Sequence, residues 1–354
     1  MITDIHLENF RSYRNESFEF SRGINIIVGP NASGKTNLLE AILFVLRGNT
    51  YRTHNINEII NTNSETARLE AHGDNNEIRI AYLQRQADSA SKQFKINDQD
   101  YKRLSFLKRL PVVVFEPNNV LILTGSPELR RNFLDDLLEQ LKPGYAGLRR
   151  QYKRVLAQRN NLLRQGALVA NPQLFAWNIR LSELGEQIAQ QRHELVETMN
   201  KIAEELYQKL TKSKLTLKLS YNSSVSIKQY GSKLLHQLEV NVNHDIERGF
   251  TSYGPHRDDL KIILNKFDVT YKASRGEIRS LMLVFDIIQT KLIEEFRGKK
   301  PILLLDDVFS ELDGARRQAL TKFLKSYQTF ITTTDADIVI KHFAQNCNII
   351  PLTS

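Results

Sequence analysis

The feature that most limits what this 354-residue chain can fold into is a glycine-containing loop near its start. Residues 29–36 match the pattern GxxxxGK[ST]. An apolar run at 24–28 precedes them, and helically spaced apolar residues from 38 to 46, ending at Gly48, follow. This order of strand, loop and helix is what a phosphate-binding loop requires, because its backbone N–H groups wrap around phosphate oxygens at the amino end of a helix. The predicted nucleotide-binding residues are Gly29, Pro30, Asn31, Ala32, Ser33, Gly34, Lys35 and Thr36.

A second apolar run, residues 301–305, ends in two carboxylates, Asp306 and Asp307. A buried strand that ends this way is typical of a Walker B element. We expect Asp306 and the Thr36 hydroxyl to hold Mg²⁺, and Lys35 to reach the outer phosphates of ATP. Asp307 is predicted to position or deprotonate the attacking water. A solvated turn or a calcium site is the alternative interpretation of the paired acids.

Residues 274–277, Ser-Arg-Gly-Glu, resemble the SGGQ signature of ABC-type ATPases, in which a serine and a glycine bind the γ-phosphate from the opposite subunit. Ser274 and Gly276 are the predicted contacts, and residues 310–313 resemble the D-loop, which adds Asp313. A signature cannot reach its own P-loop in such folds, so a head-to-head dimer with two ATP molecules between its subunits is predicted. An ordinary serine N-cap at Ser274 is the alternative.

A long helical region interrupts the α/β pattern. Ser126 and Pro127 predict a helix start, and an apolar stripe runs from Leu129 across Pro143-Gly144 to Leu163. After a turn at 165–172, a second helix carries apolar residues spaced by three and four up to Leu210. Residues 215–221 and segments after 241 alternate like strands. We predict an α/β fold: an ABC-type P-loop ATPase head (1–125 plus 241–354) interrupted by a helical arm lobe (126–240) whose second boundary lies between about 214 and 245.

The order of P-loop, helical insert, signature and Walker B resembles the SMC-related branch of the ABC ATPases. Within that branch, strings throughout the chain resemble the RecF family: residues 9–13, 50–53, 115–117, 125–127 with 130–131, 254–260 and 303–313. The string Gly-Pro-His-Arg-Asp-Asp-Leu at 254–260 is the most distinctive of these. The resemblance covers the whole chain and implies further nucleotide contacts by Asn37, Arg11 and Arg52.

RecF proteins are bacterial ATPases that bind DNA, dimerise on ATP and work with RecO and RecR to load recombinase at gaps. The resemblance therefore implies a cytoplasmic, nucleoid-associated mediator of DNA repair, recombination, replication and the SOS response. Its cofactors would be ATP and Mg²⁺, and its partners double-stranded or gapped DNA, a second copy of the chain, and RecR with RecO.

Two departures from the resembled patterns concern hydrolysis. Glu277 and Ile278 replace the glutamines that the family's signature carries, and the trans contacts of that signature depend on them. Residues 331–335, Ile-Thr-Thr-Thr-Asp, stand where many ABC ATPases keep a switch histidine. The second departure implies slow ATP hydrolysis, which suits a release switch better than a motor.

The charge distribution indicates a polyanionic partner. Lys and Arg outnumber Asp and Glu by 49 to 40, and residues 141–182 contain no acid. Basic residues at i, i+4 spacing on one helix repel one another unless phosphates neutralise them. We predict DNA binding without base specificity, because such contacts reach only the backbone. A merely solvated helix face is the alternative. The predicted DNA contacts are Arg149, Arg150, Lys153, Arg154, Arg159 and Arg164.

The remaining composition argues against several classes of protein. The longest apolar runs are far shorter than the ~20 residues that span a bilayer, so no membrane partner is expected. The single cysteine, Cys347, argues against an internal disulfide framework, and the first residues lack signal-peptide features, which favours the cytosol. A transporter ATPase subunit is the alternative function. That alternative requires an intact SGGQ-like signature and a switch histidine, and the sequence has neither. It also requires that no long helical insert be present, whereas this chain contains one.

Overall fold

The computed structural model describes residues 1–53, 55–87, 90–165, 172–335, 343 and 347–353. The chain divides into two compact units, Met1–Asn118 with Gln289–Ser354, and Asn119–Ile288. The predicted helical lobe at 126–240 lies inside the second unit, while the assignment of 241–288 to the head stays a prediction. Most of the predicted turn at 165–172 lies outside the described residues. None of the described helices combines the length and apolar composition needed to cross a bilayer.

The described residues form fourteen strands and nine helices. The strands are β1 (Ile2–Phe10), β2 (Tyr13–Glu19), β3 (Ile24–Val28), β4 (Thr66–Gly73), β5 (Ile78–Gln84), β6 (Ser91–Ile96), β7 (Gln99–Tyr101), β8 (Val112–Phe115), β9 (Leu217–Asn222), β10 (Asp259–Leu264), β11 (Phe267–Asp268), β12 (Ile302–Asp306), β13 (Thr329–Thr333) and β14 (Cys347–Pro351). The helices are α1 (Lys35–Arg47), α2 (Val120–Thr124), α3 (Pro127–Leu141), α4 (Tyr145–Arg164), α5 (Pro172–Thr211), α6 (Tyr230–Val240), α7 (Val242–Arg248), α8 (Arg275–Arg297) and α9 (Gly314–Leu324). Short 3-10 turns occupy Ile56–Ile59, Asp74–Asn76, Pro117–Asn119 and Val308–Glu311.

A parallel sheet in the order β14-β3-β13-β12-β8 forms the centre of the first unit. Its central strands β3, β13 and β12 are buried almost throughout, as expected for strands that are covered on both faces. β3 and β12 are mostly apolar, whereas β13 carries three threonines. The carboxyl ends of parallel strands share one edge, so β3 brings Gly29 and β12 brings Asp306 to the same edge. The confirmed strand, loop and helix order at 24–47 therefore places the P-loop beside the two carboxylates.

Helix α1 belongs to one apolar core with both sheets of the first unit. The second sheet is antiparallel, in the order β2-β1-β4-β5-β6-β7. Leu39 and Ile42 of α1 share a buried cluster with Leu69 of the antiparallel sheet and with Leu304 of the parallel sheet. The helix ends where the sequence predicts, because Gly48 adopts the left-handed conformation (φ +75°) that terminates a helix at low cost.

The second unit contains the predicted long helices, with one difference. Pro127 opens α3 as expected, but the apolar stripe is split at Pro143-Gly144 into two helices. Gly144 has φ +86°, which breaks the helical path before α4 begins. Helices α4 and α5 are antiparallel, since Arg159 bonds Asn178 while Leu163 packs near Leu174. The 40 residues of α5 span about 60 Å.

The string at 254–260 folds into a hydrogen-bonding centre of the second unit. Asp258 is buried and accepts hydrogen bonds from the Tyr221 hydroxyl (2.6 Å), the Ser224 hydroxyl (3.0 Å) and the Ser224 backbone N–H (2.8 Å). Asp259 accepts two bonds from the Arg130 guanidinium, at 2.7 and 2.9 Å. The string therefore ties the β9–β10 pair to α3, which is a structural role that its sequence alone did not reveal.

Candidate functional site

The P-loop has the backbone geometry of a phosphate cradle. A methyl group on Gly29 would lie 2.7 Å from the carbonyl oxygen of Leu352, so only glycine fits there. Gly34 (φ +96°) and Ala32 (φ +67°) adopt left-handed conformations that turn the loop into α1. The Lys35 ammonium lies across the loop and donates to the carbonyl oxygens of Gly29 (2.8 Å) and Pro30 (2.7 Å). Burial lowers its pKa, an effect that Asp307 and Asp306 only partly offset.

Asp306 and Thr36 meet as predicted. The Thr36 hydroxyl donates to Asp306 Oδ1 at 3.0 Å, and the Thr332 hydroxyl donates to the same oxygen at 2.7 Å. A hydroxyl and a carboxylate oxygen this close can bind one small cation together. Oxygen ligands of this kind are those that Mg²⁺ prefers, so the residues fit the predicted magnesium site.

Asp307 differs from its neighbour in both conformation and environment. It has φ +51°, an uncommon value for a non-glycine residue, and its backbone N–H donates to the Thr332 hydroxyl at 2.9 Å. Its Oδ1 atom is buried and has no hydrogen-bond partner among the described residues. Burial raises the pKa of the carboxyl, the charge of Asp306 adds to the rise, and Ser310 and Lys35 oppose it. An acceptor oxygen of this kind suits a group that receives a proton.

The structure brings Arg11, Asn37 and Arg52 together around the first turns of α1. Arg11 donates two bonds to the fully buried carboxylate of Glu40, at 2.9 and 3.0 Å. Arg52 donates to Asn37 Oδ1 at 2.9 Å, and it lies 3.7 Å from Glu40. The Tyr13 hydroxyl donates to the Gly34 carbonyl at 3.0 Å. The segments at 9–13 and 50–53 thus brace the P-loop, and nucleotide contact by these arginines stays a prediction.

Two residues near Asp306 were missed by the sequence analysis as site residues. Glu116 follows β8, whose Phe115 pairs with Leu305 of β12, so it stands at the same edge as Asp306. Burial, reinforced by the charge of Asp306, raises the pKa of Glu116 to about 7. The Tyr51 hydroxyl is buried without a hydrogen-bond partner among the described residues, and burial raises its pKa. Both residues lie in segments, 50–53 and 115–117, whose sequences resemble the RecF family. That resemblance was the only signal in the sequence that could have indicated them as site residues.

Ser274 and Asp313 both stand at helix N-termini. Ser274 precedes α8, where its hydroxyl and backbone N–H donate to Glu277 at 2.7 and 2.8 Å, and the N–H of Glu277 donates back to the hydroxyl at 3.3 Å. This reciprocal pattern is a capping box, and it gives Glu277 a local role. Asp313 caps α9 by accepting from the N–H of Arg316 at 2.9 Å. The trans roles of Ser274, Gly276 and Asp313 stay predictions.

The predicted DNA residues do not all lie on one face. Arg150, Lys153, Arg154 and Arg164 are exposed on α4. Arg149 is largely buried and donates to Asp136 (2.8 Å) and Glu139 (3.1 Å), so its charge is already neutralised.

Arg159 corrects the prediction, because the structure places it in the core. It is fully buried and donates to Asp245 (2.8 Å), Thr251 (2.7 Å) and Asn178 (2.7 Å). It lies on the inward stripe of α4 with Tyr152, which phosphate cannot reach. We therefore remove Arg159 from the set of DNA contacts.

The comparisons with known proteins agree with this geometry. The RecF/RecN/SMC N-terminal domain family matches residues 1–351. The DNA replication and repair protein RecF of Acetivibrio thermocellus is 33% identical over 350 residues, which cover 95% of this chain and 94% of that protein.

Two solved structures are also similar. The recombination mediator protein RecF-ATPrS of the RecFOR pathway has a TM-score of 0.86 at 27% identity, covering 96% of this chain and 93% of its own. RecF-ATP of the same pathway has a TM-score of 0.84 at 28% identity, covering 94% and 92%. These matches confirm the predicted resemblance and the α/β P-loop ATPase head. The chain belongs to the RecF/RecN/SMC family and, within it, to the RecF proteins.

Proposed function

We propose that this chain is a recombination mediator of the RecFOR pathway that binds ATP with Mg²⁺, dimerises on ATP and binds double-stranded or gapped DNA without sequence specificity. Slow ATP hydrolysis then releases the dimer, and RecR, with RecO, is the protein partner. The proposal places the protein on chromosomal DNA in the cytoplasm. The main support for the proposal is the hydrogen bond between Thr36 of the P-loop and the carboxylate of Asp306, found in a chain that belongs to the RecF family.

The chain's own residues account for the steps of hydrolysis. The backbone N–H groups of the P-loop and the Lys35 ammonium bind the phosphates of ATP. Thr36 and Asp306 are the residues that would hold Mg²⁺, which neutralises charge on the phosphate oxygens when bound. Asp307 accepts a proton from the attacking water at its unpartnered Oδ1 atom. Its raised pKa brings the carboxyl closer to the pH at which a general base works best.

DNA binding and dimerisation rest on different helices. Arg150, Lys153, Arg154 and Arg164 are exposed on α4 and suit a phosphate backbone. Ser274 and Gly276 at the start of α8 would contact the ATP held by the other subunit, as the signature of ABC-type ATPases does. A two-headed complex closed by ATP is thereby suited to hold DNA for as long as hydrolysis is delayed.

Light scattering on the full chain with Mg²⁺ and a non-hydrolysable ATP analogue, with and without double-stranded DNA, tests the proposal. We expect a monomer mass without nucleotide and a dimer mass with the analogue, with the dimer favoured further by DNA. Lys35→Ala removes the ammonium that binds the phosphates, so it should remain monomeric under every condition. If the wild-type chain stays monomeric with the analogue and DNA, Ser274 does not contact ATP on a second subunit and the proposed switch is wrong.

A further inference from the structure

The first unit carries a basic surface that the proposed function does not use. Residues 101–115 and 296–305 contain seven Lys and Arg residues but no Asp or Glu. We call the surface formed by residues 101–110 and 296–301 the basic edge. It lies where β8 and β12 begin, whereas the nucleotide site lies where these parallel strands end. The basic edge is therefore on the far edge of the sheet from the P-loop.

Arg297 fastens the two segments of the basic edge to each other. Its Nη2 atom donates to the carbonyl oxygens of Phe106 (3.2 Å) and Arg109 (3.0 Å). Its guanidinium also lies 4.1 Å from the centre of the Phe106 ring, which is a close cation–π contact. The charges on both segments are thus held on one structured surface.

The electrostatics of the basic edge favour an anionic partner. Lys102, Arg103, Lys108, Lys299 and Lys300 make no ion pair in the described part of the chain, although Lys300 donates to the Ser326 carbonyl (3.0 Å). The neighbouring Lys92 has a pKa lowered first by burial and then by the charges of Arg109 and Arg103. Like charges gathered in this way repel one another until an anion binds between them.

Apolar groups within the basic edge indicate that this anion belongs to a protein. The Leu107 side chain is 83% exposed and Phe296 is 51% exposed, both beside the cations. A neighbouring cleft of about 350 Å³ has Leu110, Pro111 and Pro301 in its wall, together with Lys299 and Lys300. Phe296 could stack a nucleobase, but Leu107, the more exposed of the two, offers no ring and packs instead against an apolar side chain of another protein.

The acids in the wall of this cleft are already neutralised. Asp74 accepts from the amino terminus of Met1 at 2.8 Å and lies 3.1 Å from Arg22. Glu77 pairs with Arg79 at 2.6 Å. The cleft therefore does not repel a negatively charged segment.

We propose that the basic edge binds an acidic segment of a partner protein. The carboxylates of that segment face the exposed cations of residues 102–103 and 299–300, and its apolar side chains pack on Leu107 and Phe296.

Fluorescence anisotropy on the full chain tests the proposal with three labelled probes. The first is a short peptide of aspartate and phenylalanine residues, the second has serine in place of phenylalanine, and the third is an oligothymidine of the same charge. The charge-reversal variant combines Arg103→Glu with Lys299→Glu, and the apolar variant is Leu107→Ser. Arg14→Glu, at an exposed position of β2 on the other edge of the antiparallel sheet, is the control.

We expect the aspartate–phenylalanine peptide to bind at least about tenfold more weakly to the charge-reversal variant and about threefold more weakly to Leu107→Ser. The control should bind it like the wild type. All these side chains are exposed, so thermal unfolding and ATP-analogue binding should remain unchanged in the variants. Equal affinity for the two peptides would overturn the apolar part of the proposal. Loss of oligothymidine binding in the charge-reversal variant, with peptide binding unaffected, would instead make the basic edge a nucleic-acid surface and overturn the proposal.

Discussion

Asp306 and Asp307 are neighbours in the chain, yet the fold gives their carboxylates different surroundings. Asp306 accepts hydrogen bonds from two threonine hydroxyls, which fix the orientation of its carboxylate. Asp307 presents a buried oxygen with no hydrogen-bond partner in the described part of the chain. The first environment suits a residue that holds a cation, and the second suits a residue that takes up a proton from water.

Asp307→Asn should separate ATP binding from ATP hydrolysis. The amide keeps the shape of the side chain but cannot accept a proton, so we expect the turnover rate to fall by about 10²- to 10⁴-fold. Affinity for ATP should change little, and the proposed ATP-bound dimer should accumulate. Phosphate release and equilibrium nucleotide binding measure the two quantities, with Asp98→Asn at a fully exposed position as the control. A drop in turnover of less than about tenfold would remove Asp307 from the role of general base.

His256 should make the stability of the second unit depend on pH. Burial, helped by nearby arginines, lowers the pKa of His256 to about 4, against an ordinary value of 6.5. Its Nδ1 accepts from the Tyr152 hydroxyl at 2.7 Å, while Nε2 donates to the Thr251 carbonyl at 3.0 Å. Below about pH 6.5 the His256 ring becomes protonated in the unfolded chain, whereas in the folded chain it stays neutral down to about pH 4. The free energy of unfolding should therefore fall by about 2 kcal/mol between pH 7 and pH 5.

Urea unfolding at these two pH values measures the effect, and His256→Gln should flatten the difference. His236→Gln, at an exposed position of α6, should leave it intact. An unchanged pH dependence in His256→Gln would show that another group carries it.

At this scale the sequence supplied the motif residues but not their distant partners. Lys35, Thr36 and the two aspartates are recognisable because the chemistry needs those residue types within a short spacing. Glu116 approaches Asp306 through the pairing of β8 with β12, and Tyr51 approaches it from the segment that follows α1. No local pattern encodes either approach.

Helix α4 shows at the scale of an element why its basic residues have different roles. Tyr152, Val155, Arg159 and Leu163 recur at steps of three and four, so they share the inward face. Arg150 and Arg154 lie on the opposite, exposed face. The sequence showed the excess of positive charge, but the carboxylate that pairs with Arg159 belongs to α7, 86 positions further along the chain. The burial of Arg159 could therefore not be predicted from local spacing.

Arg159→Met should destabilise the second unit without affecting an exposed surface. Removing the guanidinium leaves the Asp245 carboxylate buried and unpaired, so we expect the free energy of unfolding to fall by about 3–5 kcal/mol. Arg154→Met, which removes an exposed arginine from the same helix, should change it by about 0.5 kcal/mol or less. Urea denaturation followed by circular dichroism checks both variants. Equal losses in the two variants would contradict the division of the helix into an inward and an outward face.

Local signals also explain most of the element boundaries. Gly48 ends α1 and Pro127 begins α3, since each residue has a fixed backbone preference that does not depend on distant contacts. The division of the predicted stripe at Pro143-Gly144 was missed because apolar periodicity continues on both sides of the break. Periodicity reports which residues are buried, and it does not report whether the backbone between them is continuous.

For the whole molecule, the net charge of +9 includes exposed basic residues on each of the two compact units. One set lies on the exposed face of α4 in the second unit, and the other lies on the basic edge in the first. Composition predicts that such a chain prefers polyanions, but it cannot assign different anions to different surfaces. That assignment depends on the neighbouring groups, which are exposed apolar side chains at the basic edge and polar residues such as Gln151 on the exposed face of α4.

Charge reversal on α4 can therefore be compared with charge reversal at the basic edge, because the two double variants have the same net charge. Arg150→Glu combined with Arg154→Glu should weaken binding to double-stranded DNA, because two phosphate contacts are lost. The slope of log affinity against log salt should become shallower by about 1.8, at roughly 0.9 for each phosphate contact. Arg103→Glu with Lys299→Glu changes the net charge by the same amount at the basic edge, so it controls for net charge alone. If both pairs of substitutions weaken DNA binding equally and flatten its salt dependence alike, DNA binding responds to total charge and α4 has no specific DNA-binding face. If only the α4 pair weakens binding, the phosphate contacts are assigned to that helix.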